Sequence, residues 1–164
     1  MLGGARPRFA LALFQSVASF PQMASPQDAP AKADTSHDIK SILLLDDDID
    51  LSYTLKQLLE SHNFVVTTVP NGVEGVHEIM QFDFDIIMCD MMMPRMPGDM
   101  FYFAVERTKP QLCSRFIFIT GYPDKPEVVN FLSGLKDAVV LNKPVSNDEI
   151  IRTISFVLKR NGTL

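Results

Sequence analysis

Ile86-Ile87-Met88-Cys89-Asp90-Met91-Met92-Met93-Pro94 is the stretch whose reading decides the fold. Four apolar residues run straight into one aspartate. A short apolar run of this kind reads as a strand buried on both faces of a parallel sheet. Asp90 then sits just past the strand's carboxyl end, the edge of an open α/β sheet where ligands and chemistry collect.

Working outward, four more apolar runs share this character: Ile42–Leu45, Val65–Val69, Phe116–Ile119 and Ala138–Leu141. Segments of helical periodicity separate them. Leu51, Leu55, Leu58, Leu59 and His62 predict one buried helical face, and Val73, Val76, Ile79 and Met80 a second. A third helix, with Phe101, Ala104 and Val105, starts after Gly98. Pro126 suits the first turn of a fourth, which carries Val128, Val129 and Leu132 and stops at Gly134. Ser146-Asn147-Asp148-Glu149 is a capping box that opens the last helix, with Ile150, Ile151, Ile154, Val157 and Leu158 inward. Strand–helix alternation with short links predicts an α/β fold, a flavodoxin-like (βα)5 three-layer sandwich. The second strand is the least uniformly apolar and is the natural edge, which gives a parallel five-stranded sheet in the order 2-1-3-4-5.

The chain has 164 residues and a net charge of −5. Residues 1–39 hold Arg6, Arg8 and Lys32 against Asp28, Asp34 and Asp38, so the net charge lies in the remainder. An acidic domain without a basic stripe argues against nucleic-acid binding. Cys89 and Cys113 make no disulfide framework, which suits a reducing compartment. No apolar run reaches the roughly 18 residues of a membrane span. Ala24–His37, with Pro26 and Pro30 among Ala, Ser, Gln and Asp, reads as a disordered linker. Residues 1–39 are therefore expected to be a disordered extension or the product of a mis-assigned start, with Met23 as the alternative, and residues 40–162 the globular domain. Phe9–Phe20 also resembles a weak signal peptide; a cytoplasmic protein is the expectation, because the chemistry below needs a cytosolic donor.

That chemistry is positional. Asp46, Asp47 and Asp48 follow strand one, Asp90 strand three, Thr120 strand four and Lys143 strand five. All fall at the same carboxyl edge, with strand three central. Three neighbouring carboxylates repel one another, and a hard dication such as Mg2+ relieves this. Asp90 would face the metal with one oxygen and an incoming phosphorus with the other. Aspartate is an established nucleophile type for that step. Mg2+, Lys143 and Thr120 would each meet one equatorial phosphoryl oxygen. Asp90 is thus the expected phosphoacceptor.

These residues resemble the receiver domain of bacterial two-component response regulators over about Lys40 to Arg160. The matching motifs are Leu44-Leu45-Asp46-Asp47-Asp48, Asp90 through Gly98, Ile119-Thr120-Gly121 and Asn142-Lys143-Pro144. The resemblance implies Asp46, Asp47, Asp90 and the Met92 backbone carbonyl as Mg2+ ligands. It also implies Thr120 as the switch hydroxyl, Lys143 as the phosphate-contacting lysine, and a cis peptide between Lys143 and Pro144. By the same resemblance, Met92 and Tyr122 are the candidates for tuning how long the phosphoryl group lasts. The implied partners are a sensor or hybrid histidine kinase, or a histidine phosphotransfer protein, and a downstream protein that reads the signal. Either a monomer or a phosphorylation-dependent dimer is compatible. Val140 departs from the pattern, since an aromatic residue that couples to the threonine is usual there.

Three other readings meet the same residues. A pseudo-receiver would keep the fold purely for binding. A haloacid-dehalogenase-like phosphatase would use Asp46 in a DxDx(T/V) motif, but Asp50 stands where Thr or Val belongs. An EF-hand loop from Asp46 fails at Leu51 and Gln57, which replace the required Gly and Glu.

Overall fold

A computed structural model describes residues 39–136 and 138–163; the readings made above for Phe9–Phe20 and Ala24–His37 lie outside them. The elements are β1 (Ser41–Leu45), α1 (Ile49–Ser61), β2 (Val65–Val69), α2 (Gly72–Gln81), β3 (Ile86–Asp90), α3 (Gly98–Thr108), a 3-10 turn (Pro110–Arg115), β4 (Phe116–Thr120), α4 (Pro126–Ser133), β5 (Val139–Asn142) and α5 (Asn147–Arg160). All neighbouring strands pair in parallel, in the order β2-β1-β3-β4-β5.

The uninterrupted apolar runs have a direct cause. In β1, Ile42 and Leu44 face α1 and α5 in one core layer, while Leu43 and Leu45 face α2 and α3 in the other. Successive side chains point to opposite faces, so a strand covered on both sides has no polar position to spare. Each fully buried Leu or Ile contributes roughly 1.5–3 kcal/mol of transfer free energy. The α3–α4 side is aromatic: the rings of Tyr102 and Phe131 each pack edge-on at 5.6 Å, and Phe118 meets Phe131 at 5.3 Å. Among the described residues, no helix is long and apolar enough to cross a membrane.

Several positions differ from the periodicity. His62 is the exposed C-cap of α1 rather than part of its buried face. On α2, Val73 and Met80 are exposed and the buried positions are Gly72, Gly75 and Ile79. The helix lies so close to Leu45, Met96 and Phe101 that a side chain at Gly72 or Gly75 would force these neighbours to shift. On α4, Val129 is exposed and Phe131 is buried. Asp90 and Thr120 are the last residues of their strands rather than the first beyond them.

Candidate functional site

Each strand of the central part of the sheet delivers one polar group to its carboxyl edge. Asp46 follows β1 directly and is 3% exposed, Asp90 ends β3 at 7%, and Thr120 ends β4 at 0%. They are the polar terminations of runs that are otherwise apolar, so the strands themselves carry them to the boundary between core and solvent. The register sets Asp90 beside Ile119 and Thr120 beside Asn142. Lys143, next after β5, is anchored by its own N–H donating to the Thr120 carbonyl at 2.8 Å. The Lys143–Pro144 peptide is cis.

The Lys143 ammonium spans two carboxylates. It donates to Asp46 Oδ2 at 2.8 Å and to Asp90 Oδ2 at 2.5 Å. The remaining oxygens take backbone donors: the Asp48 N–H reaches Asp46 Oδ1 at 2.9 Å and the Met92 N–H reaches Asp90 Oδ1 at 2.8 Å. Burial pushes the Asp90 carboxyl above its ordinary range, and the Lys143 and Met92 bonds oppose this without cancelling it. Burial also works against the charge on Lys143, but its bonds to Asp46 and Asp90 outweigh that and raise its pKa. The ammonium therefore stays charged between the two acids. Cys89, fully buried behind Asp90, is driven well upward by burial and by the Asp90 charge. It is a packed thiol, not a nucleophile.

Carboxylate oxygens of Asp46, Asp47 and Asp90 lie within 4.8 Å of one another, with Asp47 exposed to solvent. An all-oxygen donor set open on one side suits a hard cation that keeps several waters, as Mg2+ does. Asp48 stands apart from this cluster. Its side chain caps α1 by accepting the Leu51 N–H at 3.0 Å. The Thr120 hydroxyl oxygen accepts the Tyr122 N–H at 3.0 Å. The Tyr122 ring is exposed, with the Lys125 ammonium 4.3 Å from its centroid, and Met92 is partly exposed. Val140 pairs with Phe118 in register and packs half-buried against the aromatic layer.

One contributor was missed in the sequence. Ser52 is buried, and its hydroxyl donates to the Asp46 carbonyl at 3.3 Å, tying α1 to the acidic turn. The available signal was its position three residues before Leu55, on the inward face of the helix.

The family model described as the response regulator receiver domain matches residues 42–155. The chain is 29% identical over 126 residues to the response regulator receiver protein CpdR of Brucella abortus, a match covering 73% of this chain and 98% of that protein. Other curated relatives are longer: the chain spans 53% of a CpxR homolog, a transcriptional regulatory protein of Haemophilus influenzae, and 8% of hybrid signal transduction histidine kinase D of Dictyostelium discoideum. Among solved structures, a CheY-like response regulator receiver domain protein of Methanospirillum hungatei superposes with a TM-score of 0.68 at 27% identity, over 76% of this chain and 97% of that one. With the fold, the order of the strands and the family match in agreement, the chain belongs to the response regulator receiver domain family of two-component signalling.

Proposed function

We propose that Asp90 accepts a phosphoryl group from a phosphohistidine and that the modified domain then signals by contact with another protein. The donor would be a sensor or hybrid histidine kinase or a histidine phosphotransfer protein. The observation that carries this reading is the double hold on Asp90. One oxygen is fixed by the Met92 amide and the other by Lys143, beside two further carboxylates and next to solvent.

In the transfer, a carboxylate oxygen of Asp90 attacks phosphorus. The P–N bond breaks, and its electron pair leaves on the donor imidazole. Lys143 neutralises charge on one equatorial oxygen, and the Thr120 hydroxyl, whose oxygen accepts the Tyr122 N–H, donates its own proton to a second. Asp46, Asp47, Asp90 and the Met92 carbonyl are the groups that would hold Mg2+. Bound there, Mg2+ would supply charge neutralisation for the third oxygen and for the three carboxylates. The domain would catalyse its own modification and its slow hydrolysis, with no other substrate turned over. Residues 40–162 form the receiver and residues 1–39 an extension in this reading. The histidine donor places the protein in the cytoplasm, and signalling runs through protein contacts rather than nucleic acid.

The test is intact mass after incubation with acetyl phosphate, with and without Mg2+, on wild type and Asp90→Asn. The expected result is a single metal-dependent phosphoryl adduct that is lost in Asp90→Asn. No adduct, together with no response to beryllium fluoride, would leave the fold as a binding module.

A further inference from the structure

The loop that follows Asp90 is gripped from outside the acidic cluster. Its two ends are tied together, the Gly98 N–H donating to the Met91 carbonyl at 3.2 Å. Its apex is tied to α2, where the Gly72 N–H donates to the Met96 carbonyl at 3.2 Å. The first turn of a helix has amides without intrahelical partners. In α2 the Asn71 side chain takes those of Val73 and Glu74 at 3.0 and 3.2 Å, and the loop takes that of Gly72. The approach is close: a Cβ at Gly72 would lie 2.7 Å from Met96 Cγ, 2.8 Å from the Met96 carbonyl oxygen and 2.9 Å from Phe101 Cβ. Arg95, one residue earlier in the loop, has a left-handed φ of 66° and lies 3.7 Å from Glu74 Oε1. A non-glycine residue keeps such a conformation only where its surroundings enforce it. Met92, whose amide holds Asp90 Oδ1, belongs to the same short loop.

We propose that Gly72 is a positioning residue for the phosphoacceptor site. By admitting the Met96 backbone against the first turn of α2, it fixes the loop at its apex and thereby sets the Met92 amide on Asp90. Without that fixed point, the loop keeps its ties at Met91 and Gly98, the buried Met93 and the exposed Arg95–Glu74 contact, but its backbone at Met96 can shift away from α2. The Asp90 carboxylate then loses its orientation toward metal and phosphorus. A displacement of about 1 Å at a reacting group costs up to roughly a hundredfold in rate. The proposal rests on the reading of Asp90 as phosphoacceptor.

Gly75 provides the control. A Cβ there would meet Leu45 Cδ2 at 2.5 Å and Phe101 Cε2 at 2.9 Å, so Gly75 shares with Gly72 the contact to Phe101 and lacks the one to Met96. The experiment compares wild type, Gly72→Ala and Gly75→Ala by thermal unfolding, by the amide ¹H–¹⁵N signal of Met92 in metal-free protein, and by the rate of acetyl phosphate labelling at saturating Mg2+. In Gly72→Ala, the Met92 signal moves and labelling slows about tenfold or more. In Gly75→Ala, the unfolding temperature falls, while the Met92 signal and the labelling rate stay within about twofold of wild type. Should Gly72→Ala fail to fold, Glu74→Gln loosens the same apex through Arg95 and moves the Met92 signal in the same direction by less. Equal effects in the two alanine variants, or an unmoved Met92 signal in every folded variant of the apex, overturn the proposal. A wild type that neither labels nor responds to beryllium fluoride overturns the phosphoacceptor reading instead, and the Met92 signal, read without metal or donor, still decides the role of Gly72.

Discussion

Lys143 Nζ donates to Asp90 Oδ2 at 2.5 Å across 53 residues of sequence, yet the Asp90 carboxyl stays above its ordinary pKa because burial outweighs the ammonium. An acid whose pKa is raised by folding contributes its full stability below the unfolded-state value, here near 3.8, and loses that contribution as pH rises through the folded-state value. Asp90→Asn cannot titrate. Its stability relative to wild type therefore increases as pH rises from about 4 toward neutrality. Urea unfolding of both proteins at several pH values checks this; a difference that stays flat would show that Lys143 fully offsets burial.

Tyr102 offers a second pH test, far from the acidic cluster. Burial pushes its hydroxyl up to about 12 from an ordinary 10.0, helped by its hydrogen bond to Cys113 and the nearby Glu106 charge. Between these values the unfolded chain releases the proton and the folded one keeps it, so stability falls as pH rises. Tyr102→Phe should lack this part of the alkaline loss. Titration by tyrosinate absorbance should show that one tyrosine, absent from the variant, ionises near pH 12.

Asp48 and Asp50 can be told apart by stability. Asp48→Ala removes the side-chain cap of α1 and is expected to cost about 1 kcal/mol. The backbone N–H that Asp48 offers to Asp46 survives the substitution, so labelling of Asp90 should persist. Asp50→Ala, at an exposed position inside the first turn, should cost less than about 0.5 kcal/mol. Chemical unfolding of the two variants side by side is sufficient.

Tyr122 presents an exposed ring beside Lys125, while its backbone N–H holds Thr120. Tyr122→Ala keeps the N–H and removes the ring. The formation rate of the aspartyl phosphate should stay near wild type, while its lifetime shortens. Losing about 1 kcal/mol of shielding from water corresponds to roughly fivefold in rate. Decay of the phosphoryl adduct by intact mass measures it, and an unchanged lifetime rules out a tuning role for the side chain.

Much of the fold was legible because its strands are short and buried on both faces. The runs at Ile42, Val65, Ile86 and Phe116 begin and end within a residue of the observed strands. The helices were legible as elements, but less so as faces. Val73, Met80 and Val129 matched the helical period and are exposed, because the period marks a stripe without saying which part of it the sheet covers. That Asp48 rather than Asp50 caps α1 follows from where the helix begins, since aspartate at either position is a suitable cap by residue type.

The sequence by itself determined the alternation of strands and helices, the polar residues that follow four of the five apolar runs, and hence the gathering of Asp46, Asp90, Thr120 and Lys143 at one edge. Parallel pairing forces this, because every strand must present its carboxyl end on the same side. Tertiary structure alone decided which atoms meet there: that Lys143 bridges Asp46 and Asp90 and that Gly72 receives the loop beyond Asp90. Those contacts depend on ångström-scale separations between elements packed against one another. The interdigitation of two close-packed core layers sets these separations, and no local pattern along the chain encodes them.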